Sequence, residues 1–177
     1  LAHESMGFLG DAADDFWRAG QIAPEEAASW LHLGSVLVRL SRWREAFEAL
    51  RRATALKPGD ALAWYETGMA LRGLGRSGEA VSAFERALSL GPDRPDFLAA
   101  LGQTFMLLER FEDASRVFAK AASLSPGEPD LWFRKGICEE RAGRYPEAVS
   151  SLDEALSRDP SNQSAWFHRA LALQRSG

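Results

Sequence analysis

Residues 27–60 read AASWLHLGSVLVRLSRWREAFEALRRATALKPGD, and the rest of the chain is read outward from this stretch. Trp30, Leu33, Gly34 and Leu37 lie within about 100° of one another on a helical wheel, which predicts an amphipathic first helix. Ala46, Leu50 and Ala53 make a second stripe, in which two small residues flank a bulky one and let a neighbouring helix approach closely. Pro58 disfavours helical geometry in the residue before it, and Gly59-Asp60 supplies turn chemistry, so the second helix stops there.

The same pattern recurs on both sides. Pro24, Pro58, Pro92, Pro126 and Pro160 follow one another at intervals of 34 residues. With proline at position 32 of the unit, complete units span 27–60, 61–94, 95–128 and 129–162, with partial units at 1–26 and 163–177. Position 4 holds Trp30, Trp64, Leu98, Trp132 and Trp166, and position 8 holds Gly34, Gly68, Gly102, Gly136 and Ala170. Alanine occupies positions 20 and 27 throughout, and position 24 is always large: Phe16, Leu50, Phe84, Phe118, Leu152. Gly75 and Gly143 stand at position 15, where a residue after a helix adopts positive φ at little cost. Each unit therefore reads as helix A, a turn and helix B. Helices of about 14 residues are marginal alone, so they must be stabilised by stacking on neighbours.

In these columns the chain resembles the tetratricopeptide repeats, with their W-x2-L-G-x2-Y, A-x3-F, A and P pattern. The likeness covers nearly the whole chain and is clearest in Trp30-Leu33-Gly34-Leu37 with Ala46-Leu50-Ala53-Pro58, and in Trp64-Gly68-Leu71 with Ala80-Phe84-Ala87-Pro92. Departures stand at Leu98 for Trp, at Thr67, Lys135 and Arg169 for the position 7 leucine, and at Glu139 for the position 11 aromatic; they are expected to weaken local packing. The resemblance implies an all-α, right-handed superhelical solenoid over residues 1–177, with A helices lining a concave groove.

Composition sets the outer bounds. With 46% hydrophobic and 26% charged residues the chain can bury a core and is not a disordered one. A net charge of −4 argues against nucleic-acid binding by general phosphate neutralisation. The single cysteine, Cys138, excludes an intrachain disulfide and multi-cysteine zinc modules and fits a reducing, cytoplasmic setting. No apolar run approaches the roughly 18 residues of a membrane span, and Leu1 to Gly10 lacks the pattern of a signal peptide. The chain starts at Leu1 and reads as a segment of a larger protein. Arginine outnumbers lysine 18 to 3, a usage that suggests a GC-rich prokaryotic genome.

Catalytic and cofactor chemistry is not expected. Gly73-Leu74-Gly75-Arg76-Ser77-Gly78 matches G-x-G-x-x-G, but a dinucleotide turn needs a preceding strand, whereas these glycines fall in an A-to-B turn. His3, His32 and His168 lie in separate units and make no metal-binding spacing. Cys138, at position 10 beside the packing stripe, reads as an inert buried thiol. Asp14-Asp15 and Glu139-Glu140 are adjacent and diverge by about 100° on a helix, so both pairs read as solvated faces. Asn162-Gln163-Ser164 is a formal glycosylation sequon without secretory context.

Binding is assigned to the flank of helix A opposite the packing stripe. That flank presents His32, Ser35 and Arg39; Tyr65, Glu66, Met69 and Arg72; Gln103 and Met106; Phe133, Arg134, Ile137 and Arg141; then Phe167, His168, Leu171 and Arg175. Apolar groups alternate with arginines, which suits a peptide or partner helix carrying apolar side chains and carboxylates. The aromatics Tyr65 and Phe133 also serve packing between hairpins. Two family specialisations fail here: the clamp for a C-terminal carboxylate retains only Arg134, and an asparagine ladder cannot be built from Asn162 alone.

Charge is uneven, from −5 over residues 1–26 to +3 over 27–60 and +2 over 163–177. The end units offer apolar surface at Phe16, Trp17, Trp166 and Leu173 for association between copies. The reading is a noncatalytic protein-interaction scaffold without cofactor or metal. Its alternatives are a self-assembly module working through the solenoid ends and the substrate-presenting region of an enzyme whose catalytic domain lies elsewhere.

Overall fold

Every complete unit closes on one contact. A Cβ placed on Gly34, Gly68, Gly102 or Gly136 would stand under 3.0 Å from Leu50, Phe84, Phe118 or Leu152, respectively. Position 8 must therefore lack a side chain for helix A to meet the bulky position 24 of its own helix B. Those four bulky residues are completely buried, together with Ala46, Ala80, Ala114 and Ala148 one turn away. Burying a Leu or Phe side chain is worth about 1.5–3 kcal/mol, so each hairpin carries its own small core.

The computed structural model describes residues 2–177, with side chains from Phe8 onward, and among the described residues it contains ten helices and no strand. The residues up to Pro92 form one compact unit with α1 (Ala2–Ile22), α2 (Ala27–Arg39), α3 (Trp43–Leu56), α4 (Ala61–Gly73) and α5 (Ser77–Ser89). Asp93–Gly177 form another, with α6 (Pro95–Leu107), α7 (Phe111–Leu124), α8 (Pro129–Arg141), α9 (Tyr145–Arg158) and α10 (Gln163–Ser176). The even-numbered helices are A helices and α3, α5, α7 and α9 are B helices. One element differs from expectation: α1 runs unbroken from Ala2 to Ile22 through the partial unit 1–26, whereas each unit was read as helix A, a turn and helix B. No proline interrupts the stretch, and a glycine inside a helix costs only about 1 kcal/mol, too little to break it.

The A-to-B turn is the same device four times. Position 15 adopts positive φ at Gly75 and Gly143 (76° each) and also at Ser41 (57°) and Glu109 (56°), which the sequence did not single out. The following N–H then reaches back to the carbonyl of position 11, as in Arg42 to Leu37 and Arg110 to Phe105, both 2.9 Å, which satisfies an orphan carbonyl at the helix end. Gly75 thus belongs to a turn between two helices, and the G-x-G-x-x-G match has no strand before it.

Two further columns tie the unit together. The position 4 indole donates Nε1–H to the carbonyl of the preceding position 32 proline: Trp30 to Pro24 (2.9 Å), Trp64 to Pro58 (2.8 Å), Trp132 to Pro126 (3.1 Å) and Trp166 to Pro160 (3.0 Å). Leu98 lacks this donor and is simply buried. At the start of helix B, arginine at position 16 pairs with an acid at position 19 in Arg42–Glu45, Arg76–Glu79 and Arg110–Asp113. Hydrogen bonds from these arginines hold the three carboxyls below their usual range.

The left-handed region costs a residue with a Cβ roughly 1–2 kcal/mol, and glycine gives back part of that through its greater freedom when unfolded. Ser41→Gly and Glu109→Gly are each expected to raise the unfolding free energy by about 0.5–1 kcal/mol, whereas Gly143→Ala lowers it by about 1 kcal/mol. Urea unfolding checks this through the midpoint at constant slope; lower midpoints for both glycine variants would refute the account.

Candidate functional site

Helix A has one flank committed to the core, so the opposite flank is where binding side chains can stand. In the first compact unit, His32 and Arg39 of α2 are exposed, and the His32 ring stacks on Phe16 at 5.2 Å. Tyr65, Met69 and Arg72 of α4 come together around Phe84: the Tyr65 ring lies 5.7 Å from it, the Arg72 guanidinium 6.0 Å above it, and Arg72 donates to the Met69 sulfur at 3.2 Å. Burial raises the Glu66 carboxyl above its usual range, against a hydrogen bond from Ser35 that pulls it down.

In the second unit the expected residues divide into two groups. Phe133 and His168 meet edge to face at 6.1 Å, and His168 Nδ1 lies 2.7 Å from Glu140 Oε2, with Arg175 at 3.4 Å from the other oxygen. Arg134 is bonded to Asp130 of its own helix at 2.6 Å, so it reaches any partner only in competition with that pair. Ile137 and Arg141 instead line a pocket of about 410 Å³ with Met106, Leu107, Glu109 and Phe111. Gln103 is half-buried on α6.

The pocket follows from a column outside the expected flank. Position 17 is aromatic at Trp43, Phe111 and Tyr145, and position 13 of the next unit packs on it: Gly73 against Trp43, Arg141 over Phe111 at 5.9 Å, Arg175 over Tyr145 at 6.0 Å. Leu107 remains 64% exposed at the rim. Phe111 and Leu107 were missed because they stand where helix A ends and helix B starts; the recurring position 17 aromatics were the signal that could have found them. Arg141 has no carboxylate partner among the described residues.

The solvated reading of Glu139-Glu140 is overturned. They are 3% and 4% exposed, because position 11 faces the hairpin core and α10 covers position 12. Glu139 accepts from Ser151 Oγ at 2.5 Å and Ser115 Oγ at 3.4 Å and lies 3.4 Å from Lys135 Nζ, while Lys135 also donates to Ser151 at 2.9 Å. Arg144 Nη2 donates to Ser115 at 2.8 Å, leaving its buried Nε without a hydrogen bond. The departures at Lys135 and Glu139 thus replace an apolar contact with a bonded polar cluster rather than a loosened one.

Elsewhere, Phe16 is half-buried, and Trp17, Trp166 and Leu173 are about half exposed. Among the described residues no three His, Cys, Asp or Glu side chains gather to hold a metal, and no helix is long and apolar enough to cross a membrane. The His3 side chain lies outside the described residues. Asn162 caps α10, its side chain accepting from Ala165 N–H at 3.0 Å.

A family model described as tetratricopeptide repeat matches residues 2–61, 31–95, 65–129, 99–162 and 139–177. Among curated proteins, none matches the chain. Among solved structures, the chain is similar to YrrB, described as a TPR protein with an unusual peptide-binding site, at 23% identity over 93% of this chain and 84% of that one, with a TM-score of 0.84. It is also similar to MamA, at 22% identity over 91% and 94% of the two chains and a TM-score of 0.83. MamA from Desulfovibrio magneticus RS-1 is 19% identical over 85% of each chain, with a TM-score of 0.78. These identities carry the fold alone.

Cys138 is fully buried, and desolvation, aided by the neighbouring Glu139 charge, pushes its thiol up to about 12. The folded thiol is therefore protonated through the range in which an unfolded one ionises. Its contribution to stability is complete below the unfolded thiol's pKa and is lost as pH rises toward 12. Iodoacetamide at about pH 8 should leave the native thiol unmodified and label it once urea unfolds the chain. Rapid labelling of the native protein would contradict this placement.

Proposed function

Because the chain belongs to the tetratricopeptide-repeat family, whose members generally act as protein-interaction scaffolds, we propose that it is a noncatalytic scaffold that takes a peptide or partner helix along the free flank of its A helices. The observation that carries this reading is the pocket between α6 and α8. Met106, Leu107, Phe111 and Ile137 give it apolar walls, and Arg141 stands at its edge without a carboxylate partner among the described residues. Such a pair suits an apolar side chain followed by a carboxylate, the guanidinium fork adding orientation to charge. That YrrB is described as having a peptide-binding site supports a peptide as the ligand class.

Arg141→Glu is expected to weaken binding of the partner by roughly tenfold through charge reversal, whereas Glu85→Arg on the exposed face of α5 leaves it unchanged. The partner is recovered by affinity pull-down on the full-length protein, identified by mass spectrometry and titrated against each variant. Unchanged affinity in Arg141→Glu with loss in Glu85→Arg would place binding on the B helices instead.

A second reading rests on Trp17 at 54% and Trp166 at 50% exposure, large apolar side chains on α1 and α10. We propose that they, with Phe16 and Leu173, support reversible association of this 177-residue chain. Light scattering over a wide concentration range should show association that Trp166→Glu reduces; a strictly monomeric chain at high concentration would end this reading.

A further inference from the structure

A second surface lies between α1 and α3, over the core stripe of α2. The valley encloses about 360 Å³, within the size range of ligand clefts. Its apolar walls are Ala13 and Trp17 from α1, Trp30 and Leu33 from α2, and Ala49 from α3. It uses neither the groove residues nor the pocket between α6 and α8, and shares with the self-association reading only Trp17.

The repeat supplies an internal control for what the fold itself requires. The same positions line a pocket between α3 and α5, where Phe47 stands in place of Ala13, Arg51 in place of Trp17 and Thr67 in place of Leu33. Between α7 and α9 they carry Ser115, Lys135, Glu139 and Ser151, which are bonded to one another. The pocket between α3 and α5 is itself open, at about 480 Å³, so solenoid packing tolerates an open valley as well as a polar cluster at these positions. What sets the valley between α1 and α3 apart from these two is an alanine in its wall and an indole left 54% exposed beside the opening. Trp30, Leu33 and Ala49 are already only 3–5% exposed, so the apolar surface left for a partner to cover is chiefly the Trp17 indole.

Charge says what covers it. The acids on the α3 wall are already engaged, Glu45 by Arg42 and Glu48 by Arg51. Arg44 has no carboxylate partner among the described residues, and Arg52 lies over the Trp30 ring at 4.4 Å, also without one. Asp14 stands on the opposite wall. The side of the valley formed by α3 thus offers two guanidinium groups beside an apolar slot. We propose that this valley binds a partner peptide that inserts one large apolar side chain between Trp17 and Trp30 and sets a carboxylate against Arg44 and Arg52. Its flank over α1 is neutral or basic, facing Asp14.

The probe is a fluorescein-labelled amphipathic peptide with leucines at i, i+3 and i+7 and glutamates along one flank, titrated into the 177-residue protein by anisotropy. The counter-probe carries lysines in place of the glutamates. Two variants copy the next valley, Ala13→Phe to fill the slot and Trp17→Arg to remove the indole; Arg141→Glu reports on the groove. The glutamate peptide should bind, the lysine peptide should bind at least roughly tenfold more weakly, and Ala13→Phe and Trp17→Arg should each weaken binding by roughly tenfold while Arg141→Glu does not. Far-UV circular dichroism confirms folding, and if Ala13→Phe unfolds the chain, Trp17→Arg at its exposed position decides. No binding, equal binding of the two peptides, or retained affinity in the folded variants would overturn the proposal. Loss in Arg141→Glu with retention in Trp17→Arg would overturn it too, while leaving the groove reading standing.

Discussion

The contact between a glycine at position 8 and a bulky side chain at position 24 is the constraint from which the rest of this structure follows. It sets how near the two helices of a hairpin lie, and that spacing lets the alanine at position 20 disappear completely from solvent. Helices of 13 or 14 residues have too few internal hydrogen bonds to persist alone, so this shared burial is what makes them stable. Where a unit keeps the contact, as Gly68 and Phe84 do, the neighbouring aromatics can serve other ends; Tyr65 and Arg72 both use the Phe84 ring.

Directional bonds then fix how one hairpin follows another. The indole at position 4 reaches the proline carbonyl that ends the preceding unit, which is why tryptophan and proline recur in step. The positive φ at position 15 turns the chain in little space, and the arginine after it pairs forward with an acid as helix B starts. Surface ion pairs of that kind are worth about 0–1 kcal/mol each, so their regularity reflects turn geometry more than stability. Arg144 shows the point by exception: in place of an acid it bonds Ser115, joining α9 to the polar cluster around Glu139.

That cluster and the Glu140–His168–Arg175 contact show how the repeat accommodates charge where the family pattern has apolar groups. Burying a carboxylate costs several kcal/mol unless its oxygens are bonded, and both oxygens of Glu139 have partners. The cluster occupies, at Ser115 and Lys135, the positions that carry Phe47 and Thr67 two repeats earlier. Variation at a few positions on one scaffold thus produces different surfaces without disturbing the contact at positions 8 and 24.

What the sequence determined by itself is the periodic part: the unit length, the two helices, the glycine at position 8, the alanines and the turn at Gly75 and Gly143. These were legible because each arises from residues close together in the chain, and the same local requirement recurs from unit to unit. The partners of the polar residues were not legible. Glu139 and Glu140 read as a solvated pair, yet Ser115, Ser151 and α10 enclose them; Arg134 read as open to a ligand, yet Asp130 holds it; Ser41 and Glu109 gave no sign of positive φ. Of the expected groove residues, Met106, Ile137 and Arg141 share a pocket, but the walls contributed by Leu107 and Phe111 emerged only once α6, α7 and α8 were packed. The physical reason is one of range: backbone preference and helical period act within a unit, whereas the fate of a charge or the opening of a pocket depends on side chains that only tertiary packing brings alongside.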